Sequence, residues 1–116
     1  MKDSTNDLVF SDYEGFKAIG TGSGHGNGLK NKSATEIIIP EFFQGYKVIA
    51  ITVAAFRDTN IESCFVSKFI KSILWSSFWN CQSLKYLTFD VNSELETLDY
   101  DLISDSKLAS LRVYSD

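Results

Sequence analysis

The hydrophobic positions of the chain follow a pattern that recurs at a nearly constant spacing. The form apolar-x-x-apolar-x-apolar occurs at residues 61–66, again 23 residues later at 84–89, and after a further 24 residues at 108–113. Residues 34–39 fit the same form more loosely. Since self-similarity at a fixed period is typical of repeat architectures, the pattern predicts a stack of similar units, each beginning with a short strand.

A second pattern lies between these copies and stays in step with them. Two apolar residues three positions apart, followed by a small-plus-apolar or apolar pair, occur at 48–56, 70–78 and 95–103. Taken alone, residues 65–80 have the spacing of one face of an amphipathic helix, including one that lies on a membrane surface. The same stretch aligns with residues 48–56, which are rich in β-branched side chains, so we favour a short strand and a turn over a helix.

The first third of the chain differs from the repeats. Residues 8–19 predict a β-hairpin with its turn at 12–15, and residues 20–28 contain five glycines and predict a flexible loop. We therefore divide the chain into an N-terminal hairpin, capping segment and glycine-rich loop at 1–33 and a repeat region at 34–116, with about three units and a partial fourth. One unit buries too few apolar side chains to fold alone, so neighbouring units must share their buried faces.

Length and composition fit one β-rich domain of 116 residues, with 44% hydrophobic residues and a net charge of −4. Because no Lys/Arg cluster is present, nucleic acid is not an expected partner. No apolar run reaches the length of a membrane span, and no signal-peptide pattern is present. The two cysteines, Cys64 and Cys81, have no metal-site spacing; we expect them to be buried and reduced, although they would pair in an oxidising compartment.

Residues 8–116 resemble the BspA-type leucine-rich repeats, irregular units of about 23 residues found on surface proteins of some bacteria and protists. The matching positions are Ile37, Ile38, Ile39, Pro40, Gly45, Tyr46, Lys47, Val48, Ile51, Ala55 and Phe56 in the first unit, and Ile70, Ile73, Ser77, Phe78, Asn80, Cys81, Ser83 and Leu84 in the second. Residues 64–67 lack the proline that usually closes the strand, and residues 95–107 lack the Ala/Ser-Phe pair.

This resemblance implies a short leucine-rich-repeat solenoid with parallel strands, preceded by a β-hairpin. It also implies a protein-interaction or adhesion role, host or matrix proteins as partners, and a cell-surface or secreted location within a longer array. It implies no catalytic residues. A truncated or purely structural repeat fragment without a ligand is the alternative. No polar capping segment follows residues 108–113, so the last repeat would expose an apolar, unpaired face. We favour a fragment of a longer array, with self-association through that end as the alternative.

Candidate chemistry is sparse, and we expect no enzyme activity, cofactor or metal. The glycine run lacks the Gly-Lys-Ser/Thr ending of a phosphate loop and the spacing of a dinucleotide fingerprint. His25, the only histidine, has no nucleophile or orienting carboxylate beside it in sequence; a general base there is the enzyme alternative. The carboxylates between residues 94 and 105 lack the order of a calcium loop.

The strand positions predict where a partner would bind. If Ile37, Cys64, Leu87 and Leu111 point into the core, their neighbours point outward in three rows. These rows are Ile38, Phe65, Thr88 and Arg112; Glu36, Ser63, Tyr86 and Ser110; and Pro40, Ser67, Asp90 and Tyr114. Exposed aromatic residues and arginine are frequent binding anchors, although Phe65 and Tyr86 would also serve as cross-strand packing partners. Trp75 and Trp79, on the turn side, either cover the core edge or mark a second contact patch. The predicted binding surface consists of Glu36, Ile38, Phe65, Tyr86, Thr88, Asp90, Arg112 and Tyr114.

Overall fold

The computed structural model describes residues 2–99 and the backbone of residues 110–113. Within these residues, one short 3-10 helix, Thr5–Asp7, precedes ten strands. The strands are β1 (Phe10–Tyr13), β2 (Phe16–Ile19), β3 (Glu36–Ile38), β4 (Phe42–Phe43), β5 (Tyr46–Ile51), β6 (Ser63–Val66), β7 (Ser72–Ile73), β8 (Tyr86–Phe89), β9 (Thr97–Leu98) and β10 (Ser110–Val113). The prediction of a β-rich fold is confirmed.

The strands form two sheets. The first has the order β1-β2-β5-β7-β9, with β4 paired to β5, and mixes parallel pairs with two antiparallel ones. The second has the order β3-β6-β8-β10 and is parallel throughout. Strands β3, β6 and β8 of the second sheet are each followed along the chain by one or two strands of the first, and the two sheets share one core between them.

The two antiparallel pairs are hairpins with two-residue turns. Glu14 and Gly15 form the first turn, with φ of 50° and 86°, and Gln44 and Gly45 form the second, with φ of 52° and 85°. Positive φ at both positions matches the twist of the flanking strands, and glycine at the second position adopts it without steric cost. The N-terminal hairpin predicted from residues 8–19 is present, and β2 continues into the first sheet by pairing with β5.

The register of the second sheet places equivalent repeat positions side by side. Ile37 lies beside Cys64, and Cys64 lies beside Leu87, all of them at most 1% exposed. The backbone of Leu111 continues this row on β10. Because side chains alternate between the two faces of a strand, one buried row fixes which residues face away from the core.

Residues 65–80 do not form a helix. The end of β6 and the short strand β7 lie within this stretch, separated by a turn, which excludes the amphipathic-helix alternative. The loop that follows β7 stacks on the equivalent loop after β5. The backbone N–H groups of Ala54, Phe56 and Asp58 donate to the carbonyls of Trp75, Ser77 and Trp79, respectively, at 2.9, 2.8 and 3.1 Å. Phe56 and Phe78, both fully buried, stack between the loops with ring centroids 5.4 Å apart.

Residues near the N-terminus cover the open edge of β3. The backbone N–H of Ser4 donates to the carbonyl of Ile38 at 2.9 Å, and the Ile38 N–H donates to Ser4 Oγ at 2.8 Å. Ser4 thereby supplies both partners that a neighbouring strand would give to Ile38. A covered edge is protected from pairing with another chain.

Candidate interaction surface

A groove of about 1190 Å³ runs along the outward face of the second sheet. Its floor consists of the outward-facing residues of β3, β6 and β8, and its wall on the β3 side is formed by the N-terminal segment. The lining residues are Lys2, Asp3, Ser4, Asp7, Glu36, Ile37, Ile38, Ser63, Cys64, Phe65, Tyr86, Thr88, Asp90 and Val91.

The centre of the floor is apolar. Ile38 lies beside Phe65, and Phe65 lies beside Thr88, all three half-buried. Tyr86, in the next row, is 42% exposed and lies beside Ser63. These side chains face outward because their sequence neighbours Ile37, Cys64 and Leu87 fill the core, so the exposed aromatic rings result from the alternation of the strands. An aromatic side chain placed in this way offers a large contact area for a partner.

Six of the eight predicted surface residues line this groove. They are Glu36, Ile38, Phe65, Tyr86, Thr88 and Asp90. Arg112 lies beside Thr88 through its backbone register on β10, whereas Tyr114 lies outside the described residues. The predicted self-association surface at the end of the last repeat also falls mainly outside them and stays a prediction.

One outward row was predicted wrongly. Strict alternation placed Pro40 and Ser67 on the exposed face together with Asp90 and Tyr114, but Pro40 and Ser67 are buried. Both residues lie beyond the ends of β3 and β6, where the chain turns inward and Ser67 Oγ donates to the Pro40 carbonyl at 3.3 Å. The alternation of side chains ends with the strand, so it does not extend to these positions.

The sequence analysis did not identify the N-terminal wall of the groove. Lys2, Asp3, Ser4 and Asp7 line it, although their sequence resembles an ordinary polar terminus. Asp3 Oδ1 accepts hydrogen bonds from the N–H and the hydroxyl of Thr5 at 3.1 and 2.6 Å, which orders the start of the 3-10 turn. The Asp-x-Thr sequence of a local Asx turn was the available signal, but it does not indicate which surface the turn packs against.

The glycine-rich segment is a loop, as predicted, and one side chain anchors it. Asn27 Oδ1 accepts from the backbone N–H of Thr21 at 2.8 Å, and its Nδ2 donates to the carbonyls of Gly24 at 2.6 Å and Val53 at 2.9 Å. The same Oδ1 lies 3.4 Å from the Thr52 hydroxyl, which donates to the Ile19 carbonyl at 2.7 Å. The loop is therefore tied to the end of β5.

This loop brings His25 into contact with Asp58. No carboxylate lies beside His25 in the sequence, so the fold supplies one from a distant residue. His25 Nδ1 pairs with Asp58 Oδ2, and Asn80 Nδ2 donates to Asp58 Oδ1 at 2.7 Å. The hydrogen bond from Asn80 and the charge of His25 lower the pKa of Asp58. A small cleft beside the pair is lined by residues 25, 26, 32 and 57–60 and holds no serine or cysteine among these described residues.

The potential nucleophile nearest in sequence to the His25–Asp58 pair is the hydroxyl of Thr59. It is buried and donates to the Phe56 carbonyl at 2.6 Å. A general base needs a proton to abstract within hydrogen-bond reach, and the Thr59 proton is already committed to a backbone carbonyl. The His25–Asp58 pair consequently has the geometry of a surface ion pair that joins the loop to the repeats.

Both cysteines are buried and free, which confirms the expectation that they are unpaired. Burial raises the pKa of Cys64 far above its ordinary value and raises that of Cys81 to about 11. Because the thiolate is the reactive form, neither side chain is primed for nucleophilic chemistry. Within residues 2–99, His, Cys, Asp and Glu side chains form no group of three or more suited to a metal ion.

The two tryptophans differ in environment. The guanidinium of Arg57 stacks over the ring of Trp79 at 4.2 Å, so Trp79 covers part of the loop stack. Trp75 is 48% exposed.

Among the described residues, no helix has the length and apolar character needed to cross a membrane.

No protein-family model, no curated protein and no solved structure matches this chain. The geometry of the sheet face therefore carries the functional proposal.

Proposed function

We propose that the chain is a stack of irregular leucine-rich repeats of the BspA type that binds protein, or mediates adhesion, through the groove on its second sheet. The observation that carries this proposal is that Ile38 and Phe65, side by side in one outward row, and Tyr86 in the adjacent row all line the floor of one groove. A role without catalysis, cofactor or metal, and a cell-surface location within a longer array, belong to the same proposal.

The repeat character is supported by agreement between period and register. Residues 23 positions apart in sequence, such as Cys64 and Leu87, lie side by side in the parallel ladder, and so do their outward neighbours. A coil that advances by one strand for each unit brings equivalent positions together in this way. Short parallel strands on one side and turns on the other are the arrangement that the resemblance implies.

The two aromatic residues of the floor are not directly opposed across the strands. The direct cross-strand neighbours of Phe65 are Ile38 and Thr88, and those of Tyr86 are Ser63 and Ser110. The two rings therefore belong to different rows and do not face each other as a directly opposed pair. Aromatic residues surrounded by smaller side chains in a groove resemble the anchors at the centre of protein interfaces.

The test is a selection of phage-displayed random peptides on the immobilised chain. Enriched peptides are expected to lose at least about tenfold in affinity for the Phe65→Ser and Tyr86→Ser variants, the loss typical of a central anchor. Tyr46→Ser is the matched control, because Tyr46 is 52% exposed on the other sheet.

Peptides that bind all three variants equally would contradict the proposed surface. Phe65 is half-buried, so its variant is checked by circular dichroism, and Tyr86→Ser, at a more exposed position, provides a second test of the same surface. A folded chain that enriches no peptide would instead favour a structural spacer.

A further inference from the structure

The groove has a marked imbalance of charge. Four carboxylates, those of Asp3, Asp7, Glu36 and Asp90, line it against the single ammonium group of Lys2. Three of the four carboxylates lie on the β3 side, in the N-terminal wall and at the start of β3 itself. The one arginine of the middle row, Arg112, belongs to β10 at the opposite end of the sheet.

These carboxylates are not neutralised by the described part of the chain. None of them takes part in an ion pair within residues 2–99. Asp3 and Asp90 accept local hydrogen bonds and Asp7 accepts one from the distant Asn31, all on Oδ1 and all from backbone or uncharged side-chain groups. Their negative charge therefore attracts cationic groups of a molecule bound in the groove.

We propose that the occupant is an extended segment of another protein in which Lys or Arg side chains neighbour aromatic or aliphatic ones. The apolar side chains of the segment lie on Ile38 and Phe65, and its cationic groups lie toward Asp7 and Glu36. This inference rests on the proposed function, and it adds the charge of the partner and its orientation across the sheet.

Charge complementarity selects this occupant over others. A second copy of the chain carries a net charge of −4, and nucleic acids and anionic membranes are negative as well, so the acidic wall repels all three. Cationic side chains gain from the carboxylates at the wall, and apolar side chains gain from Ile38 and Phe65 on the floor. The apolar floor excludes a partner that is only cationic.

The experiment compares two synthetic peptides by fluorescence anisotropy. In the first, lysines alternate with Phe and Leu; in the second, glutamate replaces every lysine. The chain is expected to bind the lysine peptide at least about tenfold more tightly, and the difference should shrink as ionic strength rises, since salt screens exposed charges.

Matched variants separate binding in the groove from general attraction to an acidic protein. Asp7→Asn/Glu36→Gln removes two charges from the wall, and Glu14→Gln/Glu41→Gln removes two exposed charges outside the groove. The first variant is expected to weaken binding of the lysine peptide by about fivefold, and the second by less than about twofold.

Equal losses in the two variants would overturn the inference, because they would indicate non-specific attraction. Tighter binding of the glutamate peptide that is lost in Phe65→Ser would also overturn it, while leaving the proposed function intact. If neither peptide binds, the cationic partner is rejected, and the phage selection decides the proposed function separately.

Discussion

Asn27 is the side chain whose removal should best reveal how the glycine-rich loop is held. Replacing it with Ala removes the acceptor for the N–H of Thr21 and the donors to the carbonyls of Gly24 and Val53. It also removes a longer contact with the hydroxyl of Thr52. The first two contacts shape the loop, and the last two fasten it to the end of β5.

The expected loss follows from these contacts. A typical intramolecular hydrogen bond contributes about 0.5–1.5 kcal/mol net, and three of the contacts of Asn27 have distances between 2.6 and 2.9 Å. Water can replace part of them, because residues 21–25 of the loop are exposed. We therefore expect Asn27→Ala to lower the free energy of unfolding by about 2–3 kcal/mol.

The assay is urea unfolding followed by tryptophan fluorescence, with amide exchange of residues 21–28 as a local probe. Asn92→Ala is the matched control, since Asn92 is an exposed asparagine in a turn, and it should cost less than about 0.5 kcal/mol. If Asn27→Ala costs no more than Asn92→Ala, and its loop amides exchange no faster than before, the side chain does not anchor the loop.

Three further predictions test the core and the ion pair. A maleimide dye should label Cys64 and Cys81 at neutral pH only after unfolding, because burial raises the pKa of both thiols; rapid labelling of the folded chain would show that the core is open. Phe78→Ala should cost about 3–5 kcal/mol in urea unfolding, and Phe16→Ala, at a 42% exposed position, far less; similar costs would contradict the assignment of Phe78 to the core. The pKa of Asp58 is lowered in the folded chain, so the stability it contributes is present above its ordinary value of 3.8 and is lost as pH falls through the folded pKa. The thermal midpoints of wild type and Asp58→Asn should therefore converge at acid pH, and a constant difference across the acid range would reject this linkage.

The repeat period and the outward rows could be predicted from the sequence because both follow from local rules. Side chains in a strand alternate with a period of two, and the buried positions Cys64 and Leu87 recur 23 residues apart, so their neighbours Phe65 and Thr88 must align. The same rule failed at Pro40 and Ser67, because strand geometry ends before them. Alternation predicts a face only while the strand continues.

Contacts between distant segments could not be predicted, because no local pattern encodes them. Ser4 reaches Ile38 across 34 residues by imitating a strand neighbour, and its polar sequence context gives no sign of this. His25 meets Asp58 because Asn27 folds the loop onto the first repeat. The first contact depends on Ser4 Oγ and the second on the side-chain amide of Asn27. Only the folded chain brings these groups to their partners.

The buried row of the second sheet determines how the residues that line the groove can change. Cys64 and Phe65 are adjacent in sequence, yet the first is 1% exposed in the core and the second lies on the floor of the groove. Substitution of a fully buried side chain removes packing that both neighbouring units share, whereas substitution of an outward side chain away from such packing usually changes stability by about 0.5 kcal/mol or less. Because the register is fixed by the inward row, the outward positions keep their alignment whatever residues occupy them. The groove can therefore acquire a different charge or apolar pattern without a change of fold, and the acidic wall beside Glu36 is a property of this chain rather than of its architecture.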